Sequence, residues 1–558
     1  MFSFTRSKKQ RTAVRPSRRP SYRPSLEVLE DRCLLSAGTL DTTFNPAGNP
    51  PGTATVAVGT NNVNWGTDVL IQPSGKIVVT GYSGTETGPG YQPYFSTAEF
   101  DSNGSLDPNF GSGGTAITSS QGSNTPSFSY AATLYPTGST GDEKILEVGT
   151  GLIGRSNGIA LVRFNPDGSL DTSFGKQGMV FTSLRQGSSG ATGVVLQPNG
   201  TSLPKIVAVA SYHGSNIELV RYNPDGSLDK TFGSNGVVST QLTSSSNTGF
   251  FQLALDPVTG DLIVAGSVQV NSTTNEGFLA AYTPNGAPDT SFGGTGIVYN
   301  SSFPAGAVPI EAETIQSNGY IVTAGSGPGA TFDISRYSPS GALDSTFGNG
   351  GVVTTPIPGS YNSAYVWALA LQSNGDIVAG GEVDSTTTKL FALARYNANG
   401  SLDTTFGTSG IVTTQIGGSS FNQIRGLALQ SNGDIVAEGP SQTSKGLVFA
   451  VARYLPSEPQ IGSFTANPNP VTAGSNTTLT ASNITDGNPN STITQVTLYY
   501  YDINGNKVVL GTGTSDGSGN WILTFTVNLT SGNYTLYAQA QDNYGVVGDP
   551  TALTLTVQ

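Results

Sequence analysis

One unit of roughly 60 residues returns seven times between Leu40 and Tyr454, and recurrence at that length confines a chain to few architectures. The firmest mark of the unit is Leu-Asp-x-x-Phe-Gly, at Leu106–Gly111, Leu170–Gly175, Leu228–Gly233, Leu343–Gly348 and Leu402–Gly407. Leu40–Asn45 lacks the Gly and Pro288–Gly293 lacks the Leu. A second mark is an apolar run, a turn and another apolar run, clearest at Leu369–Gly381 and Leu427–Gly439. The Asn-Gly between those runs is a hairpin signal, because both residues tolerate positive φ. A third mark, Ala-x-x-Arg-Tyr-Asn-x-x-Gly, surrounds Arg163, Arg221, Arg336, Arg395 and Arg453; Glu99 and Ala281 stand in the Arg position of the other two copies.

Each unit thus holds four short β-prone runs, such as Val352–Thr355, Ala368–Gln372, Ile377–Gly381 and Phe391–Tyr396. Four strands in each of seven units read as the blades of a β-propeller. A solenoid needs atypical end repeats, and none is visible. Instead the register is offset. The last unit stops at Tyr454, one strand short, while Ala54–Val58 supplies a strand ahead of the first hairpin. The expectation is an all-β, seven-bladed β-propeller closed when the N-terminal strand joins the last blade, which leaves no sticky edge.

Composition agrees. Only 11% of residues are charged and 73 are Gly, which suits strands and turns over long helices. The net charge is −12, although residues 1–25 carry eight basic side chains (Arg6, Lys8, Lys9, Arg11, Arg15, Arg18, Arg19, Arg23) and no acid. The remaining body is acidic and a poor partner for nucleic acid, whose phosphates need clustered Lys and Arg. No run of 18 apolar residues predicts a transmembrane helix. The lone Cys33 rules out an intrachain disulfide, and the lone His213, in a predicted surface turn, leaves no His-based triad or multi-His metal site.

The three marks, recurring together in order over about 415 residues, resemble the delta-60 repeat family of bacterial β-propellers. That resemblance implies the fold and no defined activity. Ahead of it, Leu29, Glu30, Arg32, Leu34, Leu35, Ser36 and Ala37 resemble the LEPR-x-LL type N-terminal segment of exported planctomycete proteins, with Asp31 where that family has Pro. This implies an extracytoplasmic protein, at the cell surface or secreted. After a stiff linker at 456–460, residues 461–558 alternate apolar and polar in about seven runs, which predicts a β-sandwich. Gly519-Asn-Trp521 and Gly532-Asn-Tyr-Thr-Leu-Tyr-Ala-Gln-Ala-Gln-Asp542 resemble bacterial Ig-like domains, in which Trp521 would be a core residue. The domain organisation is therefore a basic export segment at 1–37, a propeller at 38–455, the linker, and an Ig-like sandwich at 461–558.

Repetition argues that the shared residues build the fold. Asp107, Asp171, Asp229, Asp289, Asp344 and Asp403 are expected to accept hydrogen bonds from their own turns. Phe110, Phe174, Phe232, Phe292, Phe347 and Phe406 are expected to wedge between blades, and the recurrent Arg to pair with the Asp of the neighbouring motif. Asn165-Pro-Asp-Gly-Ser-Leu-Asp171 and Asn223-Pro-Asp-Gly-Ser-Leu-Asp229 partly resemble calcium loops, with Asp167, Asp171, Asp225 and Asp229 as oxygen donors. They lack a later bidentate Glu, and Asn-Pro-Asp-Gly is a good turn by itself. No cofactor is expected.

Function is sought where the repeats differ. The connections entering the first hairpin strand carry Trp65, Phe128, Tyr130, Phe250, Phe251, Tyr361, Tyr365, Trp367 and Phe421. Trp65, Phe128, Tyr365 and Trp367 are the candidate ligand contacts, since exposed aromatics stack on sugars or anchor a protein; packing between blades is the structural alternative. No catalytic residue stands out. The expected function is a monomeric, non-catalytic binding or scaffold protein for glycan or a cell-surface protein. The alternative is a carbohydrate-active hydrolase or lyase using a carboxylate pair drawn from Glu311, Glu313, Asp333 and Glu382.

Overall fold

The computed structural model describes residues 37–558 except 60–61, 85–92, 119–126, 138–140, 154–155, 185–187, 213–215, 243–250, 272–273, 301–309, 457–458, 487–491, 503–505, 544–546 and 549. The expectations for the basic segment, His213 and Phe250 fall outside the described residues. Every element within them is a β-strand, and no helix there is long and apolar enough to cross a membrane.

Between Thr53 and Tyr454 the strands form seven four-stranded antiparallel sheets. Their leading strands are Val63–Ile71, Ser127–Tyr135, Ser188–Asn199, Gln252–Leu255, Ile310–Ile315, Ser363–Leu371 and Gly426–Leu429. Each leading strand lies against that of the next sheet, and the seventh lies against the first. The seventh sheet takes its fourth strand, Thr53–Val56, from the N-terminal side: Thr53 pairs with Ala452 and Val56 with Phe449.

The repeated residues join the sheets. Each signature Phe is fully buried and lies under the turn glycine of the following sheet, where a side chain would collide with it. A Cβ on Gly400 would sit 2.9 Å from the Phe347 ring. The series does not stop at the chain ends. A Cβ on Gly38 would sit 2.9 Å from the Phe406 ring and one on Gly104 2.9 Å from the Phe44 ring, so the contact passes from the sixth sheet to the seventh and from the seventh to the first.

The Asp and Arg of each unit form one device. Asp171 Oδ1 accepts from the Ser173 N–H at 3.1 Å, closing its own turn, and its Oδ2 accepts from Arg163 Nε at 2.7 Å. The same guanidinium lies 4.2 Å over the Phe174 ring and donates across to the Pro224 carbonyl of the next sheet at 2.8 Å. Arg221–Asp229, Arg336–Asp344, Arg395–Asp403 and Arg453–Asp41 repeat this pattern. Where Glu99 replaces Arg, Lys76 bridges Glu99 at 2.9 Å and Asp107 at 2.6 Å. Where Ala281 replaces it, Asp289 keeps only its turn bonds to Ser291. Asp167 and Asp225 each close an Asx turn onto Ser169 and Ser227. Among the described residues no group of three or more His, Cys, Asp or Glu is gathered to hold a metal ion.

One turn expectation is corrected. In Gln372–Asp376 only Gly375 has positive φ, at 91°, and Asn374 does not. The loop has three residues, with Leu371 paired to Ile377 and the Gln372 N–H bonded to the Asp376 carbonyl at 2.8 Å. This is a turn followed by a left-handed glycine, and not a two-residue hairpin with both residues at positive φ.

Residues Gln460–Val557 form two further four-stranded sheets. One holds Gln460–Asn467, Asn476–Thr485, Trp521–Thr526 and the short Thr514–Ser515; the other holds Lys507–Thr512, Ile493–Tyr501, Gly532–Asp542 and Thr551–Val557. They share one core built on Phe464, Leu479, Val496, Leu498, Leu536 and Leu555, with Trp521 packed against it half-buried.

Candidate functional site

Trp65, Phe128, Tyr365 and Trp367 lie within the leading strands themselves and not on the connections before them. The cause is a β-bulge. Pairing slips by one residue between Gly66 and Asp68, between Ser129 and Ala131, between Ile310 and Ala312, and between Val366 and Ala368. The extra residues are Thr67, Tyr130, Glu311 and Trp367, and Arg425 holds the matching place ahead of Gly426–Leu429. A bulge breaks the apolar–polar alternation by which a strand is recognised, so the sequence reads as if the strand began two or three residues later.

The bulge also explains a repeated glycine. It pushes the leading strand's carbonyl into its neighbour: a Cβ on Gly81, Gly149, Gly381 or Gly439 would lie 2.1, 1.8, 1.7 or 1.9 Å from the carbonyl oxygen of Trp65, Phe128, Tyr365 or Gln423.

These strands carry a band of half-buried rings across four sheets, at the end away from the Asp–Arg devices. Tyr365 stacks on Trp367 with centroids 5.9 Å apart. The Arg425 guanidinium lies 4.0 Å over Trp367 and 5.5 Å over Trp65, joining the two. Trp65 is parallel to Tyr82 at 6.4 Å and edge-on to Phe421 at 6.0 Å. Tyr82 meets Phe128 edge-on at 5.0 Å, and Phe128 stacks on Tyr130 at 6.1 Å. The candidates named from sequence are thus brought into one band. Phe251, by contrast, is fully buried in a sheet-to-sheet core, and Tyr361 packs against another.

Polar groups line the same stretch. Glu382 accepts from Trp367 Nε1 at 3.0 Å and Gln423 Nε2 at 2.6 Å, and from Lys389 at 3.4 Å. Lys389 is held more closely by Asp384 at 2.6 Å and faces the Tyr365 and Phe421 rings. Glu311 accepts from Ser326 Oγ at 2.9 Å, and the Glu382 charge adds to the rise that burial gives its carboxyl. Neither Glu313 nor Asp333 contributes to that interaction; burial raises the Glu313 carboxyl well above its ordinary value, against the Ala265 amide. Sequence reading missed Tyr82, Gln423, Lys389 and Arg425. The available signal was positional: Trp367 and Arg425 both stand two residues before a Leu-Ala-Leu run.

Burial raises the carboxyl groups around the leading strands. Glu311 is pushed to about 8 by desolvation, and Glu147 to about 8 by desolvation with Asp68 adding repulsion. Asp68 itself rises to about 6 despite bonds from the Val69 and Ala132 amides at 2.9 Å. Glu438, whose carboxylate fills the space where Gly66 has no side chain, is raised well above its ordinary value. A folded-state pKa above the unfolded one means that the folded chain holds more protons. Stability is then complete below the ordinary carboxyl range and falls as pH rises through the raised values. The melting midpoint is expected to fall between pH 5 and pH 8 at constant ionic strength, and Glu147→Gln to flatten that fall. A midpoint that rises over this range contradicts the assignment.

Comparison with known proteins places the fold in context. The family described as a domain of unknown function, DUF5122 beta-propeller, matches residues 72–110, 140–174, 205–232, 259–292 and 372–406. No curated protein matches. Among solved structures, the polysaccharide lyase Uly1 is similar at 10% identity and a TM-score of 0.39, over 72% of this chain and 92% of that one. The PQQ-bound aldose sugar dehydrogenase from Streptomyces coelicolor is similar at 13% identity and 0.36, over 58% and 94%. A mutant of the NanB sialidase from Streptococcus pneumoniae is similar at 10% and 0.38, over 72% and 69%. Five segments of this chain therefore match β-propeller repeats of that family, and similarity to the solved structures at this level transfers no activity.

Proposed function

We propose that this is a non-catalytic, extracytoplasmic binding or scaffold protein in which a closed seven-bladed propeller holds a glycan on its aromatic band, with an Ig-like domain as spacer. The ring reading rests on the Phe–Gly contacts that run unbroken through Gly38 and Phe44 and on the N-terminal strand in the seventh sheet. Export rests on the N-terminal sequence resemblance.

The observation that carries the binding reading is the band from Tyr365 to Tyr130, with its rings half-buried and set side by side. Pyranose faces stack on such rings, and the polar edges of Glu382 and Gln423 supply hydrogen bonds to hydroxyls. A glycan array with the purified chain is expected to show binding, and Trp367→Ala to weaken it about tenfold or more. Binding that survives Trp367→Ala unchanged removes the band as the site.

A second reading, a hydrolase or lyase, is favoured by one observation: the Glu382 charge adds to the rise of the Glu311 carboxyl, and both feel Arg425. A pair of carboxyls with raised affinity for protons suits acid–base chemistry. A depolymerisation screen separates the readings. Turnover that is lost in Glu382→Gln establishes the enzyme; binding without turnover establishes the receptor.

A further inference from the structure

Five arginines of the ring have a carboxylate within 2.9 Å: Arg163, Arg221, Arg336, Arg395 and Arg453. Arg425 differs. Among the described residues no carboxylate oxygen lies within 4.0 Å of it, and its Nε is buried without a hydrogen-bond partner. Among the described residues its terminal nitrogens make one hydrogen bond, from Nη2 to Gln423 Oε1 at 3.3 Å. Its position is nevertheless fixed, because the guanidinium is laid over the Trp367 ring at 4.0 Å and faces Trp65 at 5.5 Å. A cation held by its face on aromatics can still donate from the edge of its terminal nitrogens to an anion.

The nearby acids do not supply that anion. Glu311, Glu382 and Glu438 act on Arg425 only at a distance, and burial raises the proton affinity of all three. The other cation of the band, Lys389, is already paired with Asp384 at 2.6 Å. A desolvated guanidinium left without a counter-ion has an energetic cost, and a ligand carboxylate removes it.

We propose that the glycan bound by the band is acidic, and that Arg425 receives the carboxylate of a uronic acid residue held beside Trp65 and Trp367. This rests on the glycan-binding reading and narrows it to a ligand class. Two or more adjacent rings flanking one cation fit a polymer of such residues better than a single sugar.

The test uses the full chain with polygalacturonate, alginate and hyaluronate, each beside its carboxyl-reduced, uncharged form, by titration calorimetry. At least one native polymer is expected to bind about tenfold or more tighter than its reduced form. Arg425→Gln is expected to erase that difference while the reduced form binds as before, and Arg425→Lys to keep part of it. Equal melting midpoints for the variants show that they fold. The inference is overturned if every native polymer binds no better than its reduced form, or if Arg425→Gln weakens both in parallel. If neutral glycans bind through Trp367 and these acidic ones do not, the inference falls and the glycan site stands. If no glycan binds, both fall.

Discussion

Deletion of residues 1–58 is expected to leave a chain that does not fold to a soluble ring. The loss removes the strand Thr53–Val56 from the seventh sheet and leaves the strand Gly446–Tyr454 with an unpaired edge, the feature by which sheets aggregate. It also takes Gly38 from beneath Phe406, Phe44 from beneath Gly104, and Asp41 from Arg453. Asp41 and Arg453 are both largely buried, and Nη2 meets Oδ2 at 2.5 Å. Removing one partner of such a pair costs about 3–5 kcal/mol, so Asp41→Ala alone should lower the urea midpoint markedly. Asp289 is the internal control. It has the same place in the repeat but Ala281 where the Arg would be, and Asp289→Ala should cost about 1 kcal/mol. Equal effects of the two substitutions would show that the ion pair contributes nothing to closure.

Gly381→Ala is expected to destabilise the fold by about 3 kcal/mol. The new methyl would meet the Tyr365 carbonyl oxygen at 1.7 Å, and both atoms belong to strands that cannot shift without undoing their pairing. Gly350→Ala makes the contrast. Gly350 has a φ of 65° and nothing within 4 Å of the added carbon, so only its backbone conformation is penalised, at about 1 kcal/mol. Because the Tyr365 carbonyl is set by the bulge at Trp367, Gly381→Ala should also disturb the aromatic band. Reduced ligand binding in the fraction that still folds would report that link.

How much of this was legible in the sequence differs from feature to feature, for physical reasons. The seven units were legible because wedge packing is local to each unit: a Phe, a Gly and an Asp at fixed spacing must recur wherever the wedge recurs. The Asp–Arg pair was legible too, since the two residues stand eight apart around one turn. Its reach into the next sheet was not, because the acceptor is a backbone carbonyl and carries no side-chain signature. The bulges hid the true starts of the leading strands, which is why Trp65 and Trp367 read as loop residues. Arg425 was hidden by distance, being about 360 residues from Trp65 in the chain but adjacent to it where the seventh sheet meets the first.

Tryptophan emission tests the aromatic band most directly. The chain has three tryptophans, Trp65 and Trp367 in the band and Trp521 against the core of the two C-terminal sheets. With Trp521→Phe, all remaining emission comes from the candidate site. Titration with a glycan selected on the array is expected to give a saturable change in intensity and wavelength, with the dissociation constant found by calorimetry. A glycan that binds by calorimetry and leaves the emission of Trp65 and Trp367 untouched would place the site elsewhere and contradict the assignment.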